Sequence, residues 1–346
     1  MESFYFILII FETMYQFALI GCGRISKRHA ENIQKVGKLK AVCDIIPERA
    51  DALAAAYNCT PYYTIDDLLK NETKIDIVSI CTPNGYHAEH SIKSLQAGKH
   101  VLCEKPLCIT KVAGWQMIDT AHFCRKKLFV VKQNRYNEPV QVVKKALDEN
   151  KLGKIYSFQI NCFWNRPQQY YTGDWRGSKF LDGGILYTQF SHFIDLLYWF
   201  LGDVDSVKGY KQKNGQRLNI EIEDDGVAII KMNSGVIGTL NYTINSFHKN
   251  KEGSFTLFAE KGTVKIGGQY LNELEWYETA EQKKPVVAQH TPPNEYGFYQ
   301  GSMSNHDKVY KDLVHSLNGN GSLLEAKDAV KTIEIIENIY AATEEV

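Results

Sequence analysis

Neither sign of charge is in excess in this sequence: Lys plus Arg number 40, and so do Asp plus Glu. Without a basic stripe the chain is not built to hold nucleic acid, and without an acidic tail it has no signature of a basic partner. It also lacks any C-x-x-C pair. Its eight cysteines (22, 43, 59, 81, 103, 108, 124 and 162) all fall in the first half, several inside apolar runs where a thiol behaves as a small hydrophobe. That usage excludes a disulfide framework and a zinc ribbon, and it fits a reduced, cytoplasmic protein. His87 and His90 lie three apart without a cysteine or acid at ligand spacing, so no metal is expected. No stretch approaches the roughly 18 consecutive apolar residues of a membrane span. The nearest is Phe4–Phe11. It is preceded by Glu2 and by no basic residue, and no small-residue cleavage site follows, so it does not read as a signal peptide. Residues 1–13 read as an N-terminal extension or a mis-assigned start ahead of Met14. Internal repeats and low-complexity segments are absent.

What remains is an ordinary globular composition, 44% hydrophobic and 23% charged over 346 residues, long enough for two domains. From Met14 to about residue 135, apolar runs alternate with helical patterns. Strands are expected at 15–21, 39–44, 75–81, 100–103 and 128–131, with helices at 24–36, 47–57, 65–69, 87–97 and 112–126 between them. This alternation predicts an α/β fold with a doubly wound parallel sheet of the Rossmann type over 14–135. From 136 to 346 strands follow one another with short turns, at 155–163, 204–211, 226–232, 236–245, 254–259 and 263–266. Helices are expected at 140–147 and 190–201. A closing helix carries Ala326, Val330, Ile333, Ile336 and Tyr340 on one face. The second half is therefore an α+β domain with a large open, mainly antiparallel sheet.

The stretch Gln16–Ser26, QFALIGCGRIS, couples a buried strand to glycines at dinucleotide-fingerprint spacing. Gly21 allows the tight turn, and Gly23 lets backbone amides approach a pyrophosphate at the start of a helix. Asp44 ends the next apolar run about 20 residues later, where a ribose-binding carboxylate belongs. A carboxylate there accepts two ribose hydroxyls and repels a 2′-phosphate. Ile45 and Ile46 supply no neutralising base, and although Arg49 is nearby, Asp44 would still oppose the phosphate, so NAD is expected rather than NADP. Ligands of such sheets bind outside the carboxyl ends of the strands. Two more strands end in polar groups there, at Cys81–Asn84 and at Glu104-Lys105-Pro106.

The GCGRIS turn, Thr82-Pro83-Asn84 with His87, Glu104-Lys105-Pro106, and Gly183-Gly184-Ile185-Leu186 leading to His192 and Asp195 together resemble the Gfo/Idh/MocA oxidoreductase family. Further stretches resemble its WlbA/WbpB-like UDP-N-acetylglucosaminuronate 3-dehydrogenase branch. These are Lys132–Asn137, Arg166-Pro167-Gln168 with Tyr170-Tyr171, Trp175-Arg176-Gly177, and Tyr296–Ser302.

The resemblance implies Lys105 as the base that removes a hydroxyl proton, with His192 as relay or substrate ligand. It implies an NAD site built from Gly21, Gly23, Arg24, Ile25, Ser26, Asp44, Thr82, Pro83, Asn84, His87, Glu104 and Lys105. Trp175 and Arg176 would reach that site from the second domain of the same or a neighbouring subunit. Arg166, Thr188, Gln189, Lys105 and His192 would meet the substrate. Arg166, Arg176 and Lys132 are candidates for a uronate carboxylate or a diphosphate, and His306 either contacts the nucleotide sugar or caps the helix that follows it. Many family members carry an aspartate where this chain has Thr188, so a Lys–Asp–His relay is not expected. The implied reaction is oxidation of the C3 hydroxyl of a UDP-linked N-acetylglucosaminuronate, with 2-oxoglutarate as a possible second substrate. Another sugar or polyol dehydrogenase of the family and a non-catalytic NAD sensor are the alternatives. A homodimer or homotetramer is expected.

Overall fold

A computed structural model of the chain describes residues 14–346 other than 174, 215, 216, 218, 219, 281–284, 288–292, 296, 298 and 323. The expectation for residues 1–13 and the contributions of Tyr296 and Phe298 lie outside the described residues.

The first unit runs β1 (Tyr15–Ile20), α1 (Ser26–Val36), β2 (Gly37–Cys43), α2 (Pro47–Tyr57), β3 (Thr60–Tyr62), α3 (Ile65–Asn71), β4 (Ile77–Ile80), α4 (His87–Gln96), β5 (His100–Cys103), α5 (Lys111–Phe123) and β6 (Leu128–Val130). Its strands form one parallel sheet in the order β3-β2-β1-β4-β5-β6. Helices cover both faces, so a strand such as β4 is buried at every residue and reads as a continuous apolar run. Strand order reverses between β1 and β4, which opens a crevice at their carboxyl ends. Two details depart from the periodicity. The helix α1 starts at Ser26 rather than at residue 24, because the turn residues are needed to leave the strand. The strand β3 has three residues and contains Pro61, too short to show a pattern.

The second unit runs α6 (Glu138–Asp148), β7 (Ile155–Phe163), α7 (Gln168–Tyr171), α8 (Ile185–Thr188), α9 (Ser191–Leu201), β8 (Val204–Gln212), β9 (Asp225–Met232), β10 (Ile237–Thr243), β11 (Glu252–Ala259), β12 (Gly262–Gly267), β13 (Glu273–Thr279), β14 (Pro293–Glu295), β15 (Gln300–Met303), α10 (His306–Leu317), α11 (Ala326–Ala342) and β16 (Thr343–Glu345). The large sheet has the order β13-β12-β11-β7-β10-β9-β8-β16. Its β7–β10 and β8–β16 pairs are parallel and the other five antiparallel. One face packs on helices. On β9, Ala228, Ile230 and Met232 are buried while Val227 and Ile229 face outward.

Tertiary packing crosses the expected division at residue 135. Val309, Tyr310 and Leu313 of α10 share a core with Phe17, Leu19 and Ile33 of the first unit. The Leu324 carbonyl accepts the Val130 amide at 2.9 Å, extending the edge of the parallel sheet. An ion cluster ties the units together. Arg135 grips Asp195 through Nε and Nη2 at 2.7 and 2.8 Å and reaches Asp328 at 2.9 Å. Lys132 lies 3.8 and 3.7 Å from the same two carboxylates. Burial alone would raise the Asp195 carboxyl, but Arg135 and Lys132 hold it below its ordinary value.

Candidate active site

A cleft of about 390 Å³ lies between the carboxyl ends of β1, β4 and β5 and the second unit. Its floor begins at the glycine turn. Gly21 has φ +96°, and a Cβ there would sit 2.6 Å from the Cys81 carbonyl carbon, so both backbone and space demand glycine. At Gly23 the reason is different: a Cβ would meet no protein atom within 4 Å. The amide edge before α1 is thus open toward the cleft, and no side chain caps that helix. Such an edge suits the pyrophosphate of a dinucleotide. Ser26 does not face this space; it is buried and its hydroxyl donates to the Gly23 carbonyl at 2.7 Å, closing the turn. Arg24 and Ile25 line the cleft. Asp44 ends β2 as expected, with its carboxylate accepting the amides of Cys22 at 2.7 Å and Ile46 at 2.9 Å. These bonds aim the carboxylate beside the glycine turn.

The loop after β4 and the loop after β5 are braced against one another. His87 is buried, with Nδ1 2.7 Å from the Pro106 carbonyl and Nε2 2.8 Å from the Thr82 carbonyl. Pro83 precedes the short turn of residues 84–86. Asn84 reaches across to the second unit, donating to the Asp182 carbonyl at 2.9 Å and the Thr188 hydroxyl at 2.7 Å.

Glu104 points inward rather than at the cleft's centre. Its Oε1 is 2.8 Å from His29 Nε2 and 3.2 Å from His306 Nε2, and its Oε2 accepts the Lys105 amide at 3.0 Å. Burial would raise this carboxyl, but the two histidines hold it well below the usual range. His29 Nδ1 in turn meets the Tyr310 hydroxyl at 2.7 Å. His306 therefore neither faces a ligand nor acts only as a helix start; it anchors the acid next to Lys105. His29, Glu104 and His306 are the one group of ligand-type side chains close enough together to hold a metal among the described residues, and their mutual hydrogen bonds account for their proximity.

Lys105 and His192 meet in the cleft, one from each unit. The Lys105 ammonium donates to the Thr188 carbonyl at 2.8 Å. Burial pulls its pKa down to about 8; Glu104 opposes that shift, and the cations Arg166 and Arg176 reinforce it. His192 is buried, with Nε2 3.3 Å from Gln133 Nε2. Burial and then Lys105 push it down to about 3, so the imidazole is neutral. An amine whose pKa has been brought close to neutral pH, beside a neutral imidazole, is the arrangement a proton acceptor needs.

Cations and aromatic rings form the far wall. Arg166 is buried, and its guanidinium donates to uncharged groups among the described residues: Gln189 Oε1 at 2.7 Å, the Asn165 carbonyl at 2.6 Å and Asn250 Oδ1 at 3.2 Å. Its guanidinium lies 4.9, 5.5 and 5.1 Å from the rings of Trp164, Tyr170 and Tyr299. Arg176 lies 4.8 Å from the Tyr170 ring and 4.8 Å from that of Trp175. Both Trp175 and Arg176 reach the cleft within the same chain. Gln189 holds Arg166 and the Tyr170 hydroxyl, the latter at 2.6 Å, so its amide is engaged by protein. Lys132 is excluded from the substrate set, since it is buried in the ion cluster and donates to the Glu325 carbonyl at 2.8 Å. Thr188 lines the cleft, and its hydroxyl is bonded to the carboxylate of Asp182.

Asp182 and Trp164 belong to this region and escaped the sequence reading, whereas Arg49, weighed beside Asp44, lines the cleft. Trp164 lines it too, but sits in a segment whose local pattern is merely a strand end. Asp182 precedes the glycine pair Gly183-Gly184, a position that resembles any turn.

Comparison with known proteins finds matches to both units. Residues 15–132 match the oxidoreductase family model with an NAD-binding Rossmann fold, and residues 140–265 match the GFO/IDH/MocA C-terminal domain. The structure of the WlbA dehydrogenase of Bordetella pertussis, in complex with NADH and UDP-GlcNAcA, is 34% identical, with a TM-score of 0.85 over 95% of this chain and 96% of that one. The WlbA dehydrogenase of Chromobacterium violaceum, with the same two ligands, is also 34% identical, with a TM-score of 0.86 over 95% and 93%. Among curated relatives, the D-glucoside 3-dehydrogenase of Escherichia coli is 34% identical over 142 residues, and the match spans only 40% of that protein's length.

Proposed function

The chain belongs to the Gfo/Idh/MocA family of NAD-binding oxidoreductases, and from that premise we propose that it oxidises the C3 hydroxyl of a UDP-linked N-acetylglucosaminuronate. The observation that carries this reading is the meeting of Lys105, with its lowered pKa, and neutral His192 opposite a wall containing Arg166 and Arg176. Two neighbours of similar length that were solved with NADH and UDP-GlcNAcA support it. The Gly21–Gly23 turn, the start of α1 and Asp44 would hold NAD, which when bound would accept the carbinol's hydride. Lys105 Nζ takes the hydroxyl proton, so that hydride and proton together account for the two hydrogens lost as the alcohol becomes a ketone. The Thr188 carbonyl fixes the amine while it takes the proton. His192 hydrogen-bonds the same hydroxyl as a neutral partner. Arg166 and Arg176 suit a carboxylate or diphosphate, since a planar guanidinium offers paired donors. A 2-oxoacid such as 2-oxoglutarate would return the cofactor to its oxidised form by accepting the hydride.

The test is turnover. Purified protein incubated with UDP-N-acetylglucosaminuronate and 2-oxoglutarate is expected to yield the 3-keto sugar nucleotide and 2-hydroxyglutarate. Turnover with free sugars or polyols alone would move the protein to another branch of the family, and no reduction of bound NAD by any of them would make it a sensor.

A further inference from the structure

Lys105 is held by a carbonyl, and that carbonyl is held by a chain of polar groups that ends at a buried acid. Thr188 closes the short helix α8, whose carbonyl accepts the Lys105 amine at 2.8 Å. The Thr188 hydroxyl has two partners: it donates to Asp182 Oδ1 and accepts from Asn84 Nδ2 at 2.7 Å. Asp182 is 1% exposed, and its other oxygen accepts the Gly177 amide at 2.8 Å. The Asp182 carbonyl also takes a bond from Asn84 at 2.9 Å. A hydroxyl has one proton, so an ionised Asp182 commits that proton and leaves the oxygen's lone pairs to Asn84. The orientation of Thr188 is thereby fixed between the two units.

We propose that Asp182 is the positioning residue for Lys105, setting the carbonyl that orients the amine and adding a second negative charge to that of Glu104. Neutral Lys105 keeps two N–H bonds and one lone pair. With one N–H directed at Thr188, rotation about the Cε–Nζ bond is restrained and the lone pair is turned toward the cleft. The charged and titratable groups around Lys105 are Glu104, Arg166, Arg176, Asp182 and His192. Those around Asp182 include Arg176, Tyr171 and Glu223. Glu104 and Asp182 are the anions that offset the two arginines at Lys105. Asp182 itself is pushed up to about 6, chiefly by burial, against the Thr188 and Gly177 bonds and the Arg176 charge. It is therefore ionised at neutral pH and loses its charge in mild acid.

This inference rests on the reading of Lys105 as the base, and its test reads the amine without needing substrate. Competitive acetylation of the intact protein across the lysine range, with the Lys105 peptide quantified by mass spectrometry, gives the midpoint of its titration. In Asp182→Asn the shape is kept and the charge removed, so the midpoint is expected to fall by about one pH unit, with NADH affinity unchanged. An unshifted midpoint in a folded, NADH-binding Asp182→Asn protein overturns the proposal. If that variant does not fold, Thr188→Val cuts the same connection while keeping side-chain volume. It is then expected to lose about tenfold in kcat with NADH affinity retained, and an unchanged kcat overturns the proposal. Turnover surviving in Lys105→Met would instead overturn the base reading, so the two failures are distinct.

Discussion

At the scale of single residues, burial weakens the hold of two bases on their protons. Burial and two nearby guanidiniums bring Lys105 down to about 8, and burial with Lys105 brings His192 to about 3. A base acts in its neutral form, so kcat/KM should fall on the acid side of about pH 8, with a further contribution near pH 6 where Asp182 is protonated, and His192 should add none between pH 5 and 8. Lys105→Met is expected to retain NADH binding by fluorescence titration and to lose activity on the order of 10²–10⁴-fold, together with the limb near pH 8. If that limb persists in the variant's residual activity, it belongs to another group. The residues of this network were unequally legible. Lys105 and His192 stand in motifs whose spacing carries meaning. His29, His306 and Asp182 stand in ordinary helix starts and turns, and only their convergence on Glu104 and Thr188 reveals a role.

At the scale of elements, the two glycines of the first turn separate folding from binding. Gly21→Ala forces a side chain into a left-handed backbone position and into the Cys81 carbonyl. It is expected to cost about 1–3 kcal/mol, read as a lower midpoint in urea unfolding. Gly23→Ala meets no protein atom, so its unfolding midpoint should hold while NADH affinity drops at least tenfold. Equal losses of stability in both variants would contradict this division. The strands and helices of the parallel sheet were largely visible because apolar runs and helical periodicity are local signals. The departures have local causes too: β3 has three residues, and β13, β14 and β16 lack a continuous apolar run because they lie at sheet edges or in a two-stranded ribbon.

At the scale of the whole molecule, the described residues leave one face of the large sheet without cover. Tyr210, Val227, Ile229, Ile237 and Trp276 are all more than a third exposed, and they come from four strands of that sheet. Monomeric proteins rarely expose so extended an apolar surface, so this face is expected to pair with a second copy. Light scattering should give a dimer or tetramer, and Ile229→Asp should shift it toward monomer with the unfolding midpoint of the monomer unit little changed. A wild-type monomer at micromolar concentration would remove that expectation. Among the described residues, no helix is long and apolar enough to cross a membrane.

The sequence by itself determined the class of fold and the NAD cofactor, and it marked Asp44 and, through the family resemblance, Lys105 as candidates. Fold class and cofactor turn were legible because apolar runs and glycine spacing are local signals. Tertiary structure decided what could not be local. It withdrew Lys132 into an ion cluster with Arg135, Asp195 and Asp328, and it returned α10 to the first unit so that His306 reaches Glu104. It also set Asp182 against Thr188. A buried charge is stable only where partners from distant segments satisfy it, and which segments meet is settled by packing, not by spacing along the chain.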